Sequence, residues 1–378
     1  MVSSRLIAVL VVAGAFVALM ETSPGGERVR GEPVGGRPGV PATSSSAIVP
    51  MLAFSARPRG GGPVQAFIVG GDGRVRQLTH APQSVDVRGW FSDGSWLIGR
   101  STIGGEELLI AIDPGSGAIR PLWRARSRIG DIVTAPSGHA VALSAGRRLM
   151  LLASPESRVV RLSTRYAGRG HDGATPPSAS FSADGRHLAY SRTAGTTTQL
   201  VVREAAGGST VVPTGAVQCR SAGRRACSRD TQPAWQPTST RLVYVRLRGN
   251  GSSLRWVMLA NGKAGVYRLE EPVRSQLGAP TWSPDGTRLA FTSESGLYTM
   301  NADGSQLHRV AATPPAGVPA WSPDSSRIAY ASRTSYSGSR ERIAVLGIDG
   351  SRPFRTEVSA LYGVIVGPIL WQPTYSGA

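Results

Sequence analysis

One ten-residue unit recurs along this chain. Its sharpest copy is Trp282-Ser-Pro-Asp-Gly-Thr-Arg-Leu-Ala-Phe291. Trp321–Tyr330 and Phe181–Tyr190 follow it closely, Trp235–Tyr244 is looser, and Trp90–Gly99 and Thr134–Leu143 are degraded. Trp371-Gln-Pro-Thr374 is the opening of one more. The first positions lie 39 to 54 residues apart. A repeat of this period folds one supersecondary unit per copy, and each unit buries its apolar faces against its neighbours.

The unit reads as strand, tight turn, strand. Ser283-Pro284-Asp285-Gly286 suits a type I turn, with proline presetting φ and Gly286 taking the positive φ that returns the chain. After the turn, Leu289 and Phe291 point one way and Arg288 and Ala290 the other, as alternation in a strand requires. The aromatic ahead of the turn closes the preceding strand and is expected to pack between sheets. This makes Trp90, Phe181, Trp235, Trp282, Trp321 and Trp371 the structural anchors of the repeat. A second hairpin follows each first one, turning at Asn301–Gly304 in the clean copy. Its counterparts are Gly71–Gly73, Asp113–Gly117, Ser154–Ser157, Ala206–Gly208, Asn261-Gly262 and Asp349-Gly350. Two hairpins make four antiparallel strands, which is one propeller blade.

The first of the second-type hairpins has no partner motif before it, and Trp371 has no hairpin after it. A ring resolves both. Gly367–Pro373 supplies the innermost strand of the blade that also holds Met51–Ala53, Gln65–Val69 and Val75–Leu78. The expectation is an all-β, seven-bladed β-propeller of four-stranded antiparallel blades closed by the C-terminal strand, with six blades as the alternative. Pro280-Thr-Trp-Ser-Pro-Asp-Gly286 with Asn301–Gly304, and Pro319-Ala-Trp-Ser-Pro-Asp324 with Ile348-Asp-Gly350, resemble the Trp-Ser-Pro-Asp-Gly repeats of TolB-like propellers, related in shape to WD40 blades. The resemblance covers roughly residues 48–378. It implies the fold and carries over no particular partner.

Arg5 followed by the uncharged run Leu6–Met20 reads as an export signal or an N-terminal membrane anchor. The Gly-, Pro-, Ser- and Thr-rich residues 21–47 read as a disordered linker. The propeller then occupies 48–378. The formal net charge is +18, and Lys263 is the single lysine, so arginine carries the positive balance. Arginine is spread through every blade with no basic arm, which argues against nucleic acid and leaves an anionic surface as a candidate partner. The chain has two cysteines. Cys219 and Cys227 lie within the longest repeat step, and in an exported chain they are expected to close a local disulfide, with two free thiols as the alternative. Arg220, Arg224, Arg225 and Arg229 crowd that loop and form a candidate anion- or partner-binding site.

Catalytic signals are sparse. His139 and His187 sit just after first-hairpin turns, as exposed strand-start residues. His171-Asp172 lies in an interblade loop. Each Asp-Gly belongs to its own turn and makes no calcium loop. No catalytic residue, metal ligand or cofactor is assigned. The expected role is an exported, noncatalytic platform on the extracytoplasmic side of a bacterial membrane. It is expected to be monomeric and to bind a protein or envelope ligand. A propeller enzyme of sugar-processing or lyase type, with its site at the channel mouth, and a tethered sensor ectodomain are the competing readings.

Overall fold

The computed structural model describes residues 51–58, 60–71, 73–168, 176–204, 207–212, 214, 227–270, 273–312, 315, 317–333, 341–348, 354–356 and 364–373. Their regular structure is all β. The chain begins with β1 (Leu52–Arg57), β2 (Gln65–Val69) and β3 (Val75–Gln77). One sheet follows from β4 (Val85–Trp90), β5 (Leu97–Ile103), β6 (Glu106–Ile112) and β7 (Ile119–Ala125). The next is β8 (Ile129–Thr134), β9 (Val141–Ala145), β10 (Arg148–Leu152) and β11 (Val160–Ser163). β12 (Ala179–Phe181), β13 (His187–Ala194), β14 (Thr197–Glu204) and β15 (Gly207–Val211) share a sheet with β16 (Ser228–Trp235), β17 (Arg241–Arg248), β18 (Gly251–Met258) and β19 (Ala264–Val266). Two more sheets are β20 (Gly278–Trp282), β21 (Arg288–Ser293), β22 (Gly296–Asn301), β23 (His308–Ala311), and β24 (Ala320–Trp321), β25 (Arg327–Arg333), β26 (Glu341–Gly347), β27 (Phe354–Thr356). The last strand, β28 (Val364–Trp371), returns to the start and completes the order β28-β1-β2-β3, with Leu52 opposite Trp371.

The ladders therefore make five four-stranded sheets and one of eight strands, where the motif count led to an expectation of seven separate four-stranded blades. The cause is local. A single parallel pair, Thr198 opposite Arg229, joins β14 to β16 and fuses two neighbouring antiparallel groups. The first strands of successive groups touch in the order β28, β4, β8, β12, β16, β20, β24, and β24 touches β28 again.

Strand alternation sends the two faces of each sheet into different cores. In the first sheet Ala53 and Ile68 pack with Val85, Leu97 and Ile110 of the next. Phe54 and Phe67 point the other way and pack with Ala329, Ile343, Val345 and Ile369. Their rings stack at 5.3 Å, so the N-terminal strands and the last sheet share one core across the seam.

The Ser-Pro-Asp turn is held by its own side chains. Ser283 Oγ donates to Asp285 Oδ1 at 2.5 Å and accepts from Arg288 N at 3.0 Å, while Asp285 Oδ1 also accepts from Thr287 N at 3.0 Å. Ser182 with Asp184, and Ser322 with Asp324, repeat the arrangement. These carboxylates are turn braces, and Gly286 takes φ +69° as the turn requires.

The anchors do more than pack. Trp282 Nε1 donates to Ala234 O at 3.2 Å, Trp321 Nε1 to Thr281 O at 3.1 Å, and Trp371 Nε1 to Ala320 O at 3.1 Å. Trp90 Nε1 points to Leu370 O at 3.5 Å, the long end of the series. Each acceptor is the residue just before the preceding anchor, so the series runs from Trp235 to Trp90 across the chain ends. Gln236 and Gln372, which stand where other copies have the turn serine, also reach forward. Their Nε2 atoms donate to the turn glycines Gly286 and Gly94 of the following copies, at 2.7 and 3.2 Å.

Candidate functional site

Residues on or beside β4, β8, β12, β20, β24 and β28 surround a cavity of about 870 Å³. Seven prolines border it: Pro136, Pro177, Pro284, Pro319, Pro323, Pro368 and Pro373. Ile132, Val133, Val318, Ile369 and Leu370 add aliphatic surface, and Trp90, Trp321 and Trp371 add indole faces. The repeat explains this collar. The proline precedes or follows the anchor in most copies, and a residue without an N–H is tolerated on a strand whose inner edge has no ladder partner. The polar lining includes Arg88, Ser92, Asp93, Asp131, Thr134 and Ser137.

Three buried aspartates stand on the first strands β4, β8 and β16, each held by donors, and of them Asp131 borders the cavity. Asp230 on β16 lies opposite Arg246 and takes a two-pronged contact from it, Nε to Oδ1 at 2.6 Å and Nη2 to Oδ2 at 2.7 Å. Thr214 also donates to Asp230. Asp86 on β4 lies opposite Arg100, whose Nε donates to its Oδ2 at 3.1 Å, and Arg88 donates to the same oxygen. On β8 the corresponding cross-strand residue is Ser144, which accepts from Asp131 N at 2.8 Å. Asp131 is held instead by the Tyr166 hydroxyl at 2.5 Å and Ser178 N at 3.2 Å. Burial, then the Asp131 charge, pushes the Tyr166 hydroxyl well above its ordinary pKa, so it stays a donor. The hydrogen bond that Arg246 donates to Asp230 outweighs burial and raises the Arg246 pKa. Two buried atoms in this region have no protein partner, Asp86 Oδ1 and Arg88 Nε. Gly367 keeps the space beside them open, since a Cβ there would lie 3.2 Å from Asp86 Oδ1.

None of the three aspartates was singled out in the sequence. They precede their anchors by four, three and five residues because each first strand carries a β-bulge, between Val87 and Gly89, Ile129 and Ile132, and Thr231 and Ala234. The bulges hide a repeat that the Asp-to-Arg pairing reveals.

The residues proposed from sequence are dispersed. Trp90, Phe181, Trp282 and Trp321 are buried, while Trp235 and Trp371 are half-buried. Arg229 is exposed on β16, opposite Leu247 and Thr198. Cys219, Arg220, Arg224 and Arg225 lie outside the described residues, as do His171 and Asp172. Cys227 is buried, and among the described residues no cysteine is free. His187 is half-exposed at the start of β13 and tilts over Trp235. His139 departs from the expectation of a plain strand-start residue. Its Nε2 lies 3.0 Å from Asp93 Oδ2, and Phe91 meets its ring edge-on. Burial would raise the Asp93 carboxyl, but hydrogen bonds from Ser95 and His139 outweigh it and hold the pKa at about 2. Asp93 borders the channel cavity; the His139 ring lies behind it, in the grooves between sheets. Among the described residues no group of three or more His, Cys, Asp or Glu could hold a metal ion.

No family model matches the chain. Over 83 residues it is 35% identical to the Tol-Pal system protein TolB of Thioalkalivibrio sulfidiphilus (strain HL-EbGR7), a match covering 20% of the chain and 18% of that protein. The crystal structure of TolB from Acinetobacter baumannii superposes with a TM-score of 0.53 at 12% identity, over 86% of this chain and 67% of that one. The chain has a β-propeller fold like that of TolB. Oligogalacturonate lyase in complex with manganese superposes equally well, with a TM-score of 0.54 at 15% identity over 81% of this chain and 84% of that one. The same fold thus serves a Tol-Pal component and a lyase, and function has to be argued from the site.

Proposed function

We propose that this TolB-like propeller is an exported, noncatalytic binding platform of the bacterial cell envelope whose channel mouth takes an apolar segment of a protein partner. The division of the channel wall carries the reading. Asp131, the one of the three buried aspartates that borders the cavity, is committed to Tyr166 and Ser178, so the surface left to a ligand is mainly the proline and aliphatic collar. Arg88 and Asp93, which also border the cavity, add polar points of attachment. A mostly apolar concavity with a few placed polar groups is the usual form of a recognition site. In this reading the eight-stranded sheet counts as two blades, because a single parallel pair is the only ladder between its antiparallel halves, and the ring has seven. Residues 1–20 act as signal or anchor, 21–47 as linker, and Cys219 pairs with Cys227, a pairing that the absence of a free described cysteine supports.

Panning a displayed peptide library on the full chain and on Val318→Arg tests the channel. Val318 borders the cavity and is half-buried, so the charge blocks the mouth without entering a core. Apolar peptides should be enriched on the parent and lost on the variant at unchanged melting temperature. Equal binding by both removes the channel from the proposal. The His139–Asp93 pair favours a second reading, an enzyme with its site at the rim. Turnover of an oligosaccharide or ester substrate by the parent, abolished by His139→Ala, would establish that reading in place of the first.

A further inference from the structure

Away from the channel, a second concavity of about 440 Å³ lies between β11 with the segment that follows it and β13. It shares no lining residue with the channel cavity. Three arginines line it, Arg161, Arg165 and Arg192, and no carboxylate does. Arg161 and Arg165 are exposed and Arg192 is half-buried, whereas the buried Arg100 and Arg246 pair with Asp86 and Asp230. In the groove no ion pair is made by the three guanidinium groups among the described residues. Ser163, Thr164 and Thr193 add hydroxyl groups between them.

The walls are fixed to each other by main chain. Thr193 N donates to Arg165 O at 2.8 Å and Ala167 N to Ser191 O at 3.0 Å, and Tyr166 bridges Arg192. The backbone positions of Arg165 and Arg192 are therefore set by these bonds and that of Arg161 by the β10–β11 ladder, so all three arginines line one groove. Ser163 Oγ accepts from Arg165 N at 3.2 Å, which orients that hydroxyl. Burial raises the Tyr190 hydroxyl pKa, with the Arg192 and Arg203 charges and Ser163 opposing, so Tyr190 presents a neutral phenol to the arginines.

We propose that this groove is an oxyanion site for the phosphate of a phosphate ester. Three planar forks offer more parallel N–H pairs than the two oxygens of a carboxylate can accept, and a phosphate presents a further oxygen. The volume exceeds what an inorganic ion fills and admits the alcohol part of the ester. The net charge of +18 adds a long-range attraction for such a ligand. The site does not depend on the channel reading, because the two cavities have no residue in common.

Calorimetric titration of the full chain at low ionic strength tests it, with glycerol 3-phosphate and inorganic phosphate as soluble probes and acetate as the carboxylate control. Vesicles of phosphatidylglycerol, against phosphatidylcholine, test a lipid headgroup as the source. The variant is Arg165→Gln/Arg192→Gln, and its charge-matched control is Arg126→Gln/Arg309→Gln, two exposed arginines outside the groove. Binding of the soluble ester that falls at least tenfold in the groove variant and stays unchanged in the control supports a free phosphate ester. The same pattern seen with phosphatidylglycerol vesicles alone supports a headgroup. Arg161→Gln, on the exposed edge of β11, replaces the double variant if that does not fold, and it should weaken binding several-fold. No binding by the parent, equal losses in groove variant and control, or acetate binding as tightly as the ester overturns the proposal.

Discussion

Two arcs of the ring are joined in different ways. From Trp235 round to Trp90 the anchors are tryptophans, and each later indole hydrogen-bonds back to the main chain just before the preceding anchor. From Thr134 to Phe181 the anchors have no N–H to offer. There the joints are polar side chains and close backbone: Tyr166 to Asp131, Ser178 Oγ to Thr231 Oγ1 at 3.0 Å, and Trp235 N to Ser180 Oγ at 3.1 Å. Thr134 also packs so tightly on Gly89 that a Cβ there would sit 2.7 Å from its Cγ2. Trp235, at the boundary, turns its indole to Ser239 O in its own turn. The arcs teach that the repeat demands a joint at each step and that the chain fills it with one indole or with several small polar groups.

Removing residues 364–378 should have the largest effect on this comparison. It takes away β28, the Trp371 joint and one wall of the Phe54–Phe67 core. Loss of the cooperative thermal transition is expected by calorimetry, whereas a two-arc ring that closes without β28 would keep it. Next comes Tyr166→Phe, in the arc without indoles. It leaves the buried Asp131 carboxylate short of a donor and should cost about 2–3 kcal/mol in urea unfolding, as bonds to charged groups do. Trp282→Phe, in the indole arc, removes a neutral donor from a buried carbonyl and should cost about 1 kcal/mol. Trp235→Phe should cost less than Trp282→Phe, because its indole serves only its own turn. Equal costs at Trp235 and Trp282 would mean that the indole series does not tie neighbours together.

The smallest effect concerns acid. Asp93 has a folded-state pKa of about 2, below its ordinary 3.8, and Asp184, Asp285 and Asp324 are also lowered. A depressed carboxyl binds its proton more weakly in the folded state than in the unfolded one. Its contribution is therefore complete above about pH 4 and is lost as pH falls toward 2. Asp93→Asn should flatten part of the decline in denaturant midpoint between pH 4 and 2. A parental slope in the variant would contradict the role given to the His139 and Ser95 contacts.

Much of the architecture was legible because the Ser-Pro-Asp turn encodes itself locally. Ser283 and Asp285 bind backbone within five residues, so their spacing in sequence is their spacing in the turn. The place of Trp371 beside Leu52 was legible from an unpaired motif at each end. The indole joints were not, since a tryptophan ahead of a turn reads equally as packing alone. The fusion of β14 to β16 rests on one backbone pair that no residue type announces. The buried charges of the first strands were hidden by bulges that shift Asp86, Asp131 and Asp230 out of register with their anchors. The three-arginine groove was hidden because Arg161 and Arg192 are far apart in sequence and meet through the Tyr166 bridge.

Hydrogen exchange of the intact chain, followed by mass spectrometry of peptides covering residues 51–57 and 364–371, tests the closed ring most directly. If β28 completes the first sheet, amides of the two segments exchange together, among the slowest in the molecule, and both speed up in Trp371→Ala. If 364–371 exchanges at the rate of unstructured chain while 51–57 stays protected, the ring is not closed there, and the account of its joints is wrong.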